Sequence, residues 1–373
     1  FFGTKFGTHF RATTARLATL GEFAPRVDLD DGGWRFGVLG PARVSARDQF
    51  DPALRGVSLN DALARYRELL ATGSVVDYGP MLRDWLRANP EATADLVAVL
   101  RSGEFDQIAR AGVFYALGAA NTDEAREALI DMVESTGDAT RNQIAAARAL
   151  ALVDQPTHEM VELLAEASGR EGYHAIDRGS MALALGTFAA RSEAHDPAVA
   201  AEARAEIRGW LEVPGEDPLD LGHALLAAGN AGHAELASSV APYLGHDDPT
   251  IRRNAAHAMR KMSPQTAYPA LEAGLRDEDR VVRTTALTSA ASVAREHDRA
   301  PSQTLTTLAG QALGSESEAE RGAAIGLLRE AAKRGDAAAD ELLEASLREQ
   351  LAGARDPRQL ALLGQSVGGT WRP

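Results

Sequence analysis

Gly364-Gln365-Ser366-Val367-Gly368 has the spacing that sets a nucleophilic serine on a sharp strand-to-helix turn. That chemistry needs a strand before the serine, a helix after it and a histidine downstream to take its proton. Here a helical pattern precedes the motif and no histidine follows, so a helix C-cap running into glycine-rich chain is the expectation. Iron sites built on paired helices need several His-Glu pairs on facing helices. The chain has one, His158-Glu159, while Glu296-His297 runs in reverse order. An acid in a first helical turn, facing the helix dipole, accounts for Glu159 more simply.

His223, His233, His246 and His257 cluster loosely, without the i, i+4 pairing typical of metal ligands on one helix. Asp247-Asp248 and Asp277-Glu278-Asp279 could share protons if buried. On exposed turns such acids cap helices instead, and their spacing does not fit a calcium loop. No catalytic residue, metal ligand or cofactor is therefore assigned, no binding residue can be ranked, and the chain is expected not to be an enzyme.

One arginine recurs. Asp248-Pro249-Thr250-Ile251-Arg252-Arg253-Asn254-Ala255 and Asp279-Arg280-Val281-Val282-Arg283-Thr284-Thr285-Ala286 share an acid, an aliphatic-Arg pair and an alanine three residues on. Arg110, Arg141, Arg178 and Arg321 open similar steps. Such a series is either a basic stripe for an acidic partner or a ladder pairing with acids of its own or the next turn. Asp248 and Asp279, four residues before Arg252 and Arg283, favour the ladder.

The elements that must carry these residues are helices. Apolar positions fall at helical spacing in Ala125/Leu129/Met132/Val133, Met160/Leu163/Leu164/Ala167, Met181/Ala184/Leu185/Phe188, Leu236/Val240/Tyr243/Leu244 and Ile251/Ala255/Met259/Met262. No helix pair buries such a stripe alone, so stacked neighbours must make the core. Asp248 and Asp279 are expected as N-caps, and Asp356-Pro357 as the opening of the last helix. Pro242 and Pro269 should bend the first helix of their pairs.

The predicted fold is an all-α solenoid, a superhelix of about eight HEAT-like antiparallel helix pairs spanning 57–366. Residues 1–56 hold a β-hairpin around Asp31-Gly32-Gly33, read as the end of a β-domain, and 367–373 form a loose tail. A length of 373 residues suits an array that grows by units. With 45% apolar and 25% charged residues the chain is a folded, soluble one, and no apolar run spans a bilayer. A formal charge of −14 argues against nucleic acid and against anionic membranes. There is no cysteine, which leaves the compartment open, cytoplasmic or exported. The chain begins at Phe1, which implies a removed leader or a piece of a longer protein.

Over roughly residues 60–330 the helical part resembles the superhelical arch of the large lipid-transfer proteins, the family of vitellogenin, apolipoprotein B and microsomal triglyceride transfer protein. The stretches that carry this occur in order: Phe114 to Thr122, Gln155 to Leu164, Met181 to Gly186, Leu226 to His233 and Ile251 to Met262. The chain lacks that family's disulfides and is too short for its lipid-lining sheets. Two functions follow. One is a non-enzymatic scaffold presenting a concave helical surface to a protein partner or to flanking domains of the same polypeptide. The alternative, implied by the resemblance, is a lipid-binding protein in which this segment arches around a lipid cavity.

Overall fold

The computed structural model describes residues 25–27, 34–36, 51–71, 78–135, 137–138, 140–170, 173–215 and 217–353. The expectations for Ser366, Asp356-Pro357 and the 367–373 tail lie outside them. Contacts group the chain into two compact units, 1–206 and 207–373, where the sequence suggests one uninterrupted solenoid, and the division falls within one helix.

Among the described residues, unit 1 starts with a two-stranded antiparallel ladder, β1 (Pro25–Val27) against β2 (Trp34–Phe36), with Val27 opposite Trp34. The helices follow: α1 (Leu59–Ala71), α2 (Tyr78–Ala88), α3 (Thr93–Ser102), α4 (Gln107–Ala120), α5 (Asp123–Glu134), α6 (Thr140–Leu150), α7 (His158–Gly169), α8 (Ala175–Ser192) and α9 (Pro197–Glu212), which crosses the division. In unit 1 α3, α5 and α7 stack in one row and α2, α4, α6 and α8 in a second, and the rows pack on each other through α1 on α2, α5 on α4 and α6, and α7 on α6 and α8.

Unit 2 repeats the scheme with α10 (Pro218–Ala231), the short α11 (Ala237–Val240), α12 (Pro249–Ala258), α13 (Pro264–Gly274), α14 (Arg280–Glu296), α15 (Gln303–Ala312), α16 (Glu318–Ala332) and α17 (Ala337–Gly353). Here α10, α12, α14 and α16 stack as the second row. Each unit is therefore a run of antiparallel pairs, the α-solenoid architecture. Pro242 does more than bend its helix: α11 stops at Val240 and a 3₁₀ segment, Ala241–Gly245, takes over. Pro269 is accommodated inside α13.

The stripes read from sequence are the core. Leu129, Met132, Met160, Leu164, Met181, Leu185, Phe188, Leu236, Ala255, Met259 and Met262 are fully buried, whereas Tyr243 and Leu244 are only partly covered. Small residues set the spacing of the second row. A Cβ on Gly118 of α4 would strike the carbonyl of Ala149 at the end of α6, and one on Gly229 of α10 would lie 2.7 Å from the Cα of Ala258. Only glycine lets these backbones touch.

Helix ends are fixed by side chains. Asp106, Thr122, Thr157, Asp217, Asp248, Asp279 and Ser317 each accept a backbone N–H of the first turn that follows. Asn121 ends α4 in the left-handed region at φ 57°. Its Oδ1 accepts the N–H of Asp154, 2.7 Å away in the next pair.

A candidate protein-docking face on the second helix row

Four of the recurrent arginines, Arg178, Arg252, Arg283 and Arg321, hold loops. Arg252 Nη1 donates to the carbonyls of His246 and Asp247, each at 2.9 Å. Arg283 treats Asp277 and Glu278 likewise, and Arg321 the carbonyls of Ser315 and Glu316. The remaining donors of the first two reach forward to the next pair: Arg252 to Asp277, Arg283 to Glu320. The ladder thus holds at Arg252 and Arg283, where the acids are those of the next turn. Asp248 and Asp279, the candidates four residues upstream, cap their helices instead. Asp277 and Glu320 stay below the ordinary carboxylate range: burial raises each, and the bonds from their arginines, helped by Asp279 N–H and by Ser315, outweigh it. Arg178 likewise binds the carbonyl of Tyr173.

A second set of cations, not evident in the sequence, stoppers helix C-termini, where carbonyls lack partners and the dipole is negative. Arg87 donates to the carbonyls of Ala119 and Ala120, Arg191 to those of Ala151 and Val153. In unit 2 Arg260 donates to the side-chain oxygen of Asn230. Burial lowers the pKa of all three arginines. Their sequence signal is faint, an arginine in the last turn of a second-row helix or just beyond it.

The histidines scatter. His233 and His246 each accept a backbone N–H two residues on, and His297 lies against the carbonyl of Lys261. His158 pairs with Glu202 of α9, and that bond raises its pKa. Among the described residues no group of three or more His, Asp or Glu is placed to hold a metal ion, and no helix is long and apolar enough to cross a membrane. A shallow cleft of about 440 Å³ lies between the end of α3 and the start of α6, lined by Leu100, Arg101, Ser135, Asp138, Arg141 and Asn142 among others. Arg101 there is tied to Asp131 and Asp138.

What remains exposed on the second row is patterned. Ile108 in α4 and Ile176 in α8 of unit 1 are 53% and 65% exposed, and Leu219 in α10 and Val281 in α14 of unit 2 are 55% and 48% exposed. All four are the second residue of a second-row helix. The cap fixes where the helix starts, and the core stripe then points this position outward: in α4 the buried set is Ala109, Val113, Ala116, Leu117 and Ala120. An aliphatic residue next to a cap and out of phase with the stripe was the readable signal.

Charge is sorted by row as well. In unit 1 the second-row helices carry seven arginines and only two acids, Asp84 and Asp177. Its helices α1, α3, α5 and α7 carry eleven acids and four arginines. The overall negative charge thus hides a second row of opposite sign.

The sequence profile of HEAT repeats matches residues 209–291, from the end of α9 into α14. Among solved structures, the chain is similar to YibA of Escherichia coli, with 15% identity, 69% of this chain and 96% of that one covered, and a TM-score of 0.41. It is similar to the CpcE–CpcF phycocyanin lyase complex from Nostoc sp., with 18% identity, 67% and 94% covered, and a TM-score of 0.39. It is also similar to human deoxyhypusine hydroxylase, with 18% identity, 73% and 98% covered, and a TM-score of 0.30. Likenesses at this level carry no argument about function. No curated protein matches the chain. Nothing in these comparisons supports the resemblance to lipid-transfer proteins.

Proposed function

We propose that the protein is a non-enzymatic scaffold that binds a protein partner, or other domains of a longer chain, on the second helix row of each unit. The observation that carries this is the placing of Ile108 and Ile176 in unit 1, and of Leu219 and Val281 in unit 2, at the same register of a second-row helix. Exposed aliphatics scattered singly need no explanation, but a repeated register does. In support of a binding role rather than a chemical one, the conspicuous arginines and acids are engaged in clamping loops and capping helices.

Affinity capture with the full chain tests the reading. Proteins retained by the wild type should be lost with Ile108→Glu/Ile176→Glu or with Leu219→Glu/Val281→Glu, with helicity unchanged by circular dichroism. Glu127→Arg, on an exposed first-row site, should retain them. The reverse pattern, loss with Glu127→Arg and retention with the second-row variants, refutes the proposal.

A further inference from the structure

The second row of unit 1 alternates in character. Ile108 stands exposed at the start of α4 and Ile176 at the start of α8, and α6 between them presents Arg141 at the same register. Neither α4 nor α6 contains an acid. Asp177, at the start of α8, is already held by Arg148 at 2.8 Å. Arg141 is exposed and makes no hydrogen bond or ion pair among the described residues, in contrast to the clamping arginines of unit 2.

Resting on the docking role proposed above, we infer that this face takes an extended acidic peptide segment with two aliphatic anchors, one over Ile108 and one over Ile176, and a carboxylate between them on Arg141. The spacing follows from helix packing. Neighbouring axes lie ~8–10 Å apart, so α4 and α8 are about 16–20 Å apart. An extended chain of the polyproline II type rises ~3.1 Å per residue with three residues per turn, so it covers that in about six residues with every third side chain on one face. The segment therefore reads aliphatic, two residues, Asp or Glu, two residues, aliphatic. A nucleic acid would satisfy Arg141 and leave the isoleucines without partners. A basic peptide would meet a row with almost no acid to receive it.

The test is selection of a random peptide library displayed on phage against the full-length chain. Enriched peptides are then synthesised with a fluorescent label and titrated by anisotropy. The expected outcome is enrichment of sequences with an acid flanked by aliphatics, whose binding weakens about tenfold with Arg141→Glu and by a similar factor with Ile108→Ser or Ile176→Ser, with circular dichroism unchanged. Binding should also weaken with added salt. Enriched peptides that need Ile108 and Ile176 but carry no acid, or that ignore Arg141→Glu, overturn the partner chemistry and leave the docking role standing. Peptides indifferent to all three substitutions overturn both. Failure to enrich any peptide overturns the inference.

Discussion

Glu320 closes on Arg283 across 37 residues of sequence, Nε to Oε1 at 2.6 Å and Nη2 to Oε2 at 3.2 Å, while the same guanidinium holds two carbonyls of its own loop. Glu320 also accepts the Ser315 hydroxyl at 2.7 Å, and its side chain is only 4% exposed. One carboxylate thereby fixes a loop, a helix start and the preceding pair.

Glu320→Gln should lower the unfolding midpoint in urea, at a cost of about 1–3 kcal/mol near neutral pH. The Glu320 pKa is depressed in the folded chain, because the bonds from Arg283 and Ser315 outweigh the upward push of burial. The unfolded chain then takes up the proton first as pH falls. The stabilisation is complete above the ordinary glutamate value of about 4.3 and fades as pH drops through the folded value. Unfolding curves at descending pH should fall less steeply for the glutamine variant. Equal slopes would mean that this pair does not contribute to acid sensitivity.

Gly118→Ala should destabilise by about 1–3 kcal/mol, because the new methyl meets the Ala149 backbone. Gly326→Ala is the counter-case. It lies within α16 with nothing within 4 Å of an added Cβ, so alanine should stabilise by about 0.5–1 kcal/mol. Thermal melts of the two variants should move in opposite directions.

Asn121 serves by conformation and by its amide oxygen, and two substitutions separate these roles. Asn121→Gly keeps the left-handed turn and loses the bond from Asp154 N–H. Asn121→Ala loses both and should be the less stable by a further ~1 kcal/mol. Identical melting of the two would show that the backbone conformation costs alanine nothing here.

Tyr268 donates its hydroxyl to the carbonyl of Arg299 at 2.9 Å, and burial pushes its phenol up to about 12. This contribution is complete below the ordinary phenol value of about 10 and is lost as pH rises through the folded value. In an alkaline titration followed by tyrosinate absorbance, Tyr268→Phe should remove a late step. The same variant should lose about 1 kcal/mol at neutral pH. An unchanged late step would assign it to another tyrosine.

Much of the fold was legible because it is periodic. Met160, Leu164, Met181, Leu185 and Phe188 obey the helical repeat without exception, and Asp248 and Asp279 announce their helices. The division between Glu206 and Ile207 was not legible, since the helical pattern continues across it. The sequence left the partners of Arg252 and Arg283 open between their own and the next turn, and the structure chooses the next. Sequence proximity favours the acid four residues away, but that acid is turned to its own helix N-terminus, and the carboxylate within reach comes from a different pair. The exposed register lay in plain view at Ile108 and Ile176, but one sequence offers no reason to separate outward aliphatics from core ones until the stripe's phase is fixed by the cap.

The arginine clamps of unit 2 also govern how such a chain can change length. Arg252 seeks its acid one module onward, at Asp277, and Arg283 finds Glu320 in the next. Removing half a module would strand a guanidinium beside a loop with no acid to meet it. Excising or duplicating a complete helix pair would bring a fresh donor and a fresh acceptor into register together. Growth and loss by whole modules is therefore the editing that this architecture tolerates.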